Sequence, residues 1–414
     1  MHEYEFLGPT IGPVGIIFGL PVVCYLLGVA SGQKHLSAVL PLLSEALRSG
    51  ELFSFQSLAV VLGWFAAVAL LHLALPGQHA VGVVLSDKSQ LKYKLNGFTI
   101  LATIYTLCLG GAFATPYLKL GWLYLHWLQI LTASMLLSFA LSFYLFATSF
   151  RKKALLADGG QTPSNLYNFF IGRELNPRIG RFDLKEFCEL YPGLIGWVVL
   201  NLGMAHQQWL DLGRVTNSMV LVNVFHLVYV ADALWHEKSI LTTMDITTDG
   251  FGFMLAFGDL TWVPFIYAIQ AKFLVDQPVD LDPIHATLVS LLNIVGYAIF
   301  RGANSQKDQF RRDPRHPSVS HLKTMKTERG RELIISGWWG MARHINYTGD
   351  WLMSLAWCLT TGFVSLVPYF HAVYFAILLI HRDLRDGLSC RLKYGKDWDK
   401  YCGKVRYRFI PWVY

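Results

Sequence analysis

Long apolar stretches without a charged side chain recur along this sequence and constrain its fold more than any other feature. A helix that crosses a bilayer needs roughly 20 such residues, because no water is present there to hydrogen-bond an open backbone. Of the 414 residues 53% are hydrophobic and only 15% are charged, a combination that is rare in soluble domains. The sequence therefore predicts an all-α, polytopic integral membrane protein with about ten transmembrane helices, near residues 11–31, 55–75, 97–118, 121–148, 193–212, 217–237, 251–273, 283–300, 349–367 and 369–381.

The basic residues are distributed unevenly among the segments that connect these stretches. With ten spans, one side of the membrane carries 30 of the 35 Lys and Arg residues, and basic loops stay on the cytoplasmic side. Both termini are therefore predicted to be cytoplasmic. The net charge of +7 then reflects topology and contact with anionic lipid, and it gives no reason to expect a nucleic acid partner.

Neither a metal centre nor a soluble nucleotide-binding fold is indicated. The six cysteines contain no C-x-x-C pair, so neither a zinc site nor a disulfide framework is expected. No G-x-G-x-x-G follows a strand, and no phosphate-binding lysine loop is present. Any nucleotide would have to be bound by some other arrangement of side chains.

Polar residues at membrane depth are costly, so they are the first candidates for function. The seventh predicted span contains Gly258 and Pro264, and we expect it to be broken or re-entrant. The sixth span carries Tyr229, Asp232 and His236 on one helical face. These three residues are typical of a general acid in a water-poor cavity, and equally of residues that anchor the end of a span at the interface.

The region 300–347 offers a second candidate. Its first part, FRGANSQKDQFRR, places Lys307 and Arg311 on one helical face, where they could bind a phosphate, although a basic cytoplasmic loop needs no ligand. The stretch SGWWGMARHINYTGDW follows, and its aromatic side chains offer faces for a base or a nicotinamide ring. Interfacial aromatic belts produce the same residue types at span ends.

The segment HRDLRDGLSCRLKYGKDWDKYC, residues 381–402, follows the last apolar stretch and mixes both charge signs with tyrosines. A helix face of mixed sign is usually just solvated. A simple membrane anchor, however, needs bases rather than interleaved acids and tyrosines. The segment is therefore either a solvated anchor or one wall of a site for an anionic cofactor.

Four stretches resemble the sterol reductase family, which includes Δ14-sterol reductases, the membrane domain of the lamin B receptor and 7-dehydrocholesterol reductase. They are LSDKSQLKYKLNGF at 85–98, GRELNPRIGRFDLKEFCELYPGLIGW at 172–197, LWHEKSILTTMDITTDGFGFMLAFGDLTWVPF at 234–265, and the region from FRGANSQKDQFRR to the last residue. The second and third stretches are more similar to the Δ14 branch than to the Δ7 branch.

The resemblance implies NADPH-dependent reduction of the C14=C15 double bond of a sterol biosynthesis intermediate, in a cytoplasmic-side pocket of the C-terminal half. Lys307 and Arg311 would bind the adenosine phosphate end of NADPH. Tyr229 and Asp386 would be catalytic. The remaining cofactor contacts implied are Ile334, Trp339, Asn346, Tyr347, Asp386 again, Cys390, Arg391, Leu392, Lys393, Tyr394 and Tyr401.

The implied reaction makes its own demands. An isolated alkene has no carbonyl to stabilise negative charge, so a proton must reach carbon 15 before a hydride can add to the cation at carbon 14. The site needs an acid beside the hydride donor and must exclude water. Tyr229 is the candidate acid, although a tyrosine with an unperturbed pKa near 10 is weak without a polar partner.

The same features leave alternatives and set the expected organisation. A Δ7 reductase, a membrane methyltransferase of the isoprenylcysteine type that uses S-adenosylmethionine, and a non-enzymatic sterol-binding scaffold remain as rivals. Residues 1–150 would form helices 1–4, and residues 151–414 would form the catalytic region. The expected location is the endoplasmic reticulum in a eukaryote or the inner membrane in a bacterium, with the sterol reaching the site from the bilayer.

Overall fold

The computed structural model describes residues 6–33, 36–85, 87–115, 118–152 and 154–414. It divides into two compact units, Met1–Pro278 and Val279–Tyr414. Within the described residues, eight helical segments are long and apolar enough to cross a bilayer: Ile11–Ala30, Phe55–Ala74, Gly97–Ala114, Trp127–Thr148, Leu184–Leu212, Asn217–Trp235, Phe253–Asp276 and Pro283–Arg312. The protein is a multi-pass, largely helical membrane protein, as the apolar stretches predict.

The first unit contains most of the helices. They are α1 (Ile11–Ala30), α2 (Val39–Ser49), α3 (Phe55–Ala74), α4 (Gly97–Leu109), α5 (Trp122–Leu125), α6 (Trp127–Thr148), α7 (Asn165–Ile171), α8 (Leu184–Leu190), α9 (Pro192–Leu212), α10 (Asn217–Trp235), α11 (Met244–Thr247), α12 (Phe253–Phe257), α13 (Val263–Ile266) and α14 (Ile269–Asp276). Two antiparallel hairpins connect some of them, β1 (Gln78–Val84) with β2 (Gln90–Leu95), and β3 (Arg178–Ile179) with β4 (Phe182–Asp183). The segment formed by α8 and α9 is the core of this unit, since 83% of its spanning window is buried.

The predicted break in the seventh span is present. A π-helical segment, Gly258–Trp262, separates α12 from α13, and a further break separates α13 from α14. The side chains of α6 compensate for the irregular backbone, because Ser134 Oγ donates a 2.5 Å hydrogen bond to the Leu260 carbonyl and Ser138 Oγ lies 2.8 Å from Thr261 Oγ1. Irregular backbone is tolerated in a membrane only where neighbouring groups satisfy it in this way.

The second unit consists of α15 (Pro283–Arg312), the hairpin of β5 (Thr324–Lys326) and β6 (Glu332–Ile334), α16 (Trp338–Met341), α17 (Ile345–Leu359), α18 (Phe370–Tyr394) and α19 (Lys396–Lys404). The last two predicted spans fall on α17 and on the first half of α18. Neither helix is among the eight segments that meet the length and hydropathy of a span, so the count of ten stays a prediction.

Helix α18 and helix α15 both continue beyond the apolar part of their sequence. The charged segment after residue 381 is not a separate tail, because α18 runs through it without interruption to Tyr394. In the same way α15 carries the basic residues after position 300 on a continuous helix that ends at Arg312. The functional division predicted after residue 150 stays a prediction.

Two glycines let α15 and α17 approach each other closely. A Cβ atom on Gly349 would lie 2.5 Å from the Gly296 carbonyl oxygen and 2.5 Å from the Phe300 nitrogen. Small residues at a helix interface allow backbones to approach in this way within a membrane. This contact fixes the position of α15 beside the first turn of α17.

We expect Gly349→Ala to destabilise the protein by about 1–3 kcal/mol, because the added methyl group must displace backbone rather than a flexible side chain. Gly403→Ala is the matched control, since Gly403 lies on the exposed face of α19 and no atom lies within 4 Å of the place that its added methyl group would take. Thermal unfolding in detergent measures both variants. Equal melting temperatures would contradict the close contact of α15 and α17.

Candidate functional site

The C-terminal end of α15 presents two cations, Lys307 and Arg311, on one helical face. Lys307 Nζ lies 4.1 Å from the centroid of the Trp339 ring, within the range of a cation–π contact. Arg311 follows one helical turn later and is exposed. In the described part of the chain neither cation forms an ion pair, whereas the neighbouring Arg312 binds Asp308 at 2.6 Å. Two such cations one turn apart form a surface suited to a phosphate group.

Trp339 is held in place from both sides. Its indole Nε1 donates a 2.8 Å hydrogen bond to the Ala303 carbonyl, one turn before Lys307. Ile334 at the end of β6 is buried in the same apolar cluster as Ala303 and Trp339. The Trp339 ring that contacts the Lys307 ammonium is therefore fixed in position. Ile334 packs against it within the buried cluster and is not itself exposed.

The first turn of α17 adds an acceptor and a phenol. Tyr347 Oη donates a 3.1 Å hydrogen bond to Asp386 Oδ2 on α18. Asn346 Nδ2 donates at 3.3 Å to Asn304 Oδ1 on α15. The other amide atom, Asn346 Oδ1, is buried and accepts no hydrogen bond from the described residues. A buried acceptor without a donor costs free energy, so this atom is ready to accept from a ligand.

Cys390 lies one turn after Asp386 on α18. Burial raises the pKa of the Cys390 thiol, and the Asp386 carboxylate raises it further, while Lys307 and Lys393 act in the opposite direction. The contacts and charges therefore bring Lys307, Trp339, Tyr347, Asp386 and Cys390 together across α15, α16, α17 and α18. All five were predicted from the sequence.

The other predicted residues lie at the end of α18 and on α19. Arg391 forms an exposed ion pair with Asp399 at 3.0 Å, Lys393 Nζ lies 5.2 Å from the Tyr394 ring centroid, and the Leu392 side chain is exposed. Tyr401 is different, because it is buried among apolar side chains and burial raises its pKa to about 12. Tyr401 thus supports this end of the unit from within, whereas Arg391, Leu392 and Lys393 present their side chains at the surface.

The sequence did not single out Asp383, although it joins three parts of the second unit. Its side chain is 5% exposed and accepts from His344 Nε2 at 3.1 Å and from Arg408 Nη1 at 2.8 Å. Burial opposes its charge, but the His344 hydrogen bond and the charges of Arg408 and Arg343 outweigh burial and lower the pKa of Asp383. The only sequence signal was a second acid one turn before Asp386 on a basic helix.

The C-terminal segment 405–409 is attached to the start of α17 by the same group of residues. Arg343 Nη1 donates to the carbonyls of Val405 and Arg406 at 2.7 and 2.9 Å, and the backbone N–H of His344 donates to the Arg408 carbonyl at 2.8 Å. Asp383 therefore fixes α18 against both α17 and the last residues of the chain. This arrangement positions Asp386 and Tyr347 for their hydrogen bond.

Tyr229 belongs to the first unit. It lies on α10, is half-buried, and its ring centroid is 6.0 Å from that of Trp197 on α9. On the same helix, Asp232 and His236 form a pair, with His236 Nδ1 3.3 Å from Asp232 Oδ1. Of the three residues predicted to share a face, Tyr229 and Asp232 lie on the regular helix α10, and His236 follows directly after its last residue.

In chemical terms the second unit offers cations for phosphates, an aromatic face and an amide acceptor. Such a set suits an anionic ligand that also carries planar rings and hydroxyl groups. Within the described residues, no group of three or more His, Cys, Asp or Glu side chains could hold a metal ion. The arrangement belongs to a helical membrane protein with a polar site on the ends of its helices.

Comparison with known proteins identifies the family. The chain belongs to the Ergosterol biosynthesis ERG4/ERG24 family, whose model matches residues 1–414. It is 47% identical over 414 residues to Delta(14)-sterol reductase erg24 of Schizosaccharomyces pombe, covering 100% of this chain and 97% of that protein. It is 48% identical over 413 residues to Delta(14)-sterol reductase TM7SF2 of Mus musculus, covering 99% and 97%. It is 44% identical over 427 residues to a Delta(14)-sterol reductase of Ascobolus immersus, covering 100% and 99%. The resemblance noted in the sequence is confirmed.

We expect Asp383→Asn to loosen the C-terminal segment, at a cost of about 1.5–3 kcal/mol, because the negative charge is lost and an N–H₂ donor replaces one of the two oxygens that accept from His344 and Arg408. Since folding lowers the pKa of Asp383, its contribution is complete above the ordinary carboxyl range and is lost as pH falls through the lowered value. Hydrogen exchange at the Arg408 and Tyr414 amides measures the change at neutral pH.

Asp399→Asn is the matched control, because Asp399 forms only an exposed ion pair with Arg391. An exposed pair contributes about 0–1 kcal/mol. If both variants exchange these amides at the wild-type rate, Asp383 does not hold the segment.

Proposed function

We propose that this protein is a Δ14-sterol reductase that reduces the C14=C15 double bond of a sterol with NADPH as reductant. The observation that carries the proposal is the match, along the whole chain, to proteins named Delta(14)-sterol reductase at 44–48% identity. Agreement over the full length includes the membrane helices and the polar surface of the second unit. A scaffold that had lost the activity would have no need to keep both.

The side chains of the second unit fit NADPH. Lys307 and Arg311 suit the phosphates at the adenosine end, and the buried Asn346 Oδ1 suits a ribose hydroxyl or the carboxamide. Bound NADPH supplies the hydride. The full set that we propose for the cofactor is Lys307, Arg311, Ile334, Trp339, Asn346, Tyr347, Asp386, Cys390, Arg391, Leu392, Lys393, Tyr394 and Tyr401.

Within this set the residues have different tasks. Tyr347 and Asp386 fix each other by their 3.1 Å hydrogen bond and present a phenol and a carboxylate to ligand hydroxyls. Ile334 and Tyr401 are buried, so they keep the shape of the wall rather than bind polar groups. Arg391 and Lys393 add positive charge on the exposed end of α18.

Tyr229 is the proposed proton donor. Its O–H bond breaks as a C–H bond forms at carbon 15 of the sterol, which leaves a cation at carbon 14 for the hydride to quench. The neighbouring Trp197 ring is buried, so this part of α9 keeps water away from the phenol and offers an aromatic face to positive charge. Asp386 is the second proposed catalytic residue, through its effect on Tyr347 and the bound cofactor.

The sterol and the membrane complete the proposal. A sterol is almost entirely apolar, so we expect it to reach α10 from the bilayer rather than from water. The relatives named above are eukaryotic, which supports the endoplasmic reticulum as the location. The concentration of 30 of the 35 Lys and Arg residues on one side of a ten-span topology supports cytoplasmic termini. The region 151–414, as predicted, would then contain all of the catalytic residues.

We expect Arg311→Ala to raise the KM for NADPH by about 10-fold or more, because a charged hydrogen bond to phosphate contributes about 1.5–3 kcal/mol. The KM for NADH, which lacks the 2′-phosphate, should change little. Initial rates with both nucleotides measure the effect. Arg312→Ala is the matched control on the same helix, since Arg312 already binds Asp308; equal effects of the two substitutions would contradict the phosphate site.

Purified wild-type protein incubated with a Δ8,14-sterol and NADPH should form the 14,15-reduced sterol, which mass spectrometry detects. The Tyr229→Phe variant should have a kcat about 10²–10⁴-fold lower, because the proposed acid is lost. Tyr144→Phe is the control, as Tyr144 lies exposed on α6. Absence of the reduced sterol with the wild-type protein would refute the proposed function. Full activity of Tyr229→Phe would refute only the role of Tyr229.

A further inference from the structure

Helix α10 and the residue that follows it carry a line of four polar side chains. His226, Tyr229, Asp232 and His236 follow one another at spacings of three, three and four residues, which places them above one another on a helix. Three of them lie within a span whose other residues are mostly apolar. Ionisable residues in such a position are costly and mark proton or substrate pathways in membrane proteins.

The line is exposed at the end that His236 forms. The His236 side chain, directly after the last residue of α10, is 40% exposed, whereas that of Asp232 is only 8% exposed. The two are in contact, because His236 Nδ1 lies 3.3 Å from Asp232 Oδ1 and 3.0 Å from the Asp232 carbonyl oxygen. An imidazole that meets water on one side and a nearly buried carboxylate on the other can transfer a proton between them.

The other end of the line is closed by His226. This residue is fully buried, and its Nδ1 lies 3.2 Å from Trp197 Nε1 and 2.7 Å from Asn201 Nδ2. An indole N–H can only donate, so His226 Nδ1 is an acceptor and the neutral ring carries its proton on Nε2. Since two donors already face the Nδ1 lone pair, His226 cannot easily take a second proton. His226 therefore is not a proton source, and a proton for Tyr229 has to come from the His236 end.

We propose that His236 and Asp232 return a proton to Tyr229 after each turnover. The inference rests on the proposed function, in which Tyr229 gives one proton to the sterol. A hydronium ion then protonates His236 at Nε2 and leaves as water, the His236 Nδ1–H bond breaks as Asp232 Oδ1 gains the proton, and Asp232 passes it to the Tyr229 oxygen, one turn earlier on the same face. One proton enters and one is consumed per turnover. The carboxylate ends as it began, and the imidazole, left with its proton on Nε2, returns to its starting tautomer by proton exchange with water. Both are positioning residues, since neither touches the sterol.

If protons return by this path, its loss should slow every turnover except the first. In the proposed mechanism Tyr229 enters the first turnover with its own proton, so a single turnover needs no relay. With His236→Ala, we expect the single-turnover rate, measured with protein in excess over the Δ8,14-sterol and NADPH, to remain within about twofold of wild type. The steady-state kcat should fall by about 10-fold or more, because proton return now limits the rate.

Exogenous imidazole provides a readout that a structural role would not move. Because His236 is partly exposed, imidazole in the buffer should restore the steady-state rate of His236→Ala toward wild type. Asp232→Asn should show the same split between single-turnover and steady-state rates, but imidazole should not restore it, since the carboxylate itself is missing. His285→Ala is the matched control, because His285 likewise pairs with an acid, Asp282, at the exposed start of α15 in the second unit.

The outcomes are distinct. The split in rates together with imidazole rescue of His236→Ala supports the relay. Wild-type steady-state rates in both variants overturn it, and so does a parallel fall of both rates without rescue, which would make these residues simple anchors of the end of α10. A wild-type protein that forms no reduced sterol would instead refute the proposed function.

Discussion

The absence of water from the bilayer is the constraint on which this structure depends, because every polar group there must find its partner within the protein. In the first unit this explains the serines of α6, which satisfy the irregular backbone between α12 and α13. It also explains why Trp197 and Asn201 both turn to the buried His226 on α10. These hydrogen bonds form only at particular distances and angles, so each polar residue has to lie at one particular position along its helix.

In the second unit a single buried carboxylate has the corresponding role. Asp383 accepts hydrogen bonds from His344, at the start of α17, and from Arg408, near the end of the chain, and so fixes three segments together. The polar surface that we assign to NADPH lies on the same helices, one turn further along α18. In the described part of the chain Lys307 and Arg311 form no ion pair, while Asp383 takes the structural pairing. The division of tasks between neighbouring acids, Asp383 for structure and Asp386 for the site, follows from burial and partners.

The sequence allowed the helical membrane fold, the break near Gly258 and most of the candidate site to be predicted, because apolar run length and spacing on a helix are local properties. Asp383 could not be found in this way, since its partners are 25 and 39 residues away along the chain. The sequence indicated a helix face of mixed charge after residue 381 but not where it ends, because a solvated charged segment has no apolar boundary; the structure ends α18 at Tyr394. The roles of Tyr229 and of the cofactor residues were predicted from the family resemblance. Residue types and spacing alone do not identify the ligand, and the role of a side chain depends on that ligand.

The central claim is that α15, α17 and α18 form a surface that binds a nucleotide through its phosphates. Isothermal titration of the purified wild-type protein with NADPH and with NADH tests it most directly. We expect NADPH to bind about tenfold more tightly or better, since only NADPH offers a 2′-phosphate to Lys307 and Arg311, and we expect the difference to shrink as salt screens these charges. Equal affinities for the two nucleotides, or no binding of either, would contradict the account.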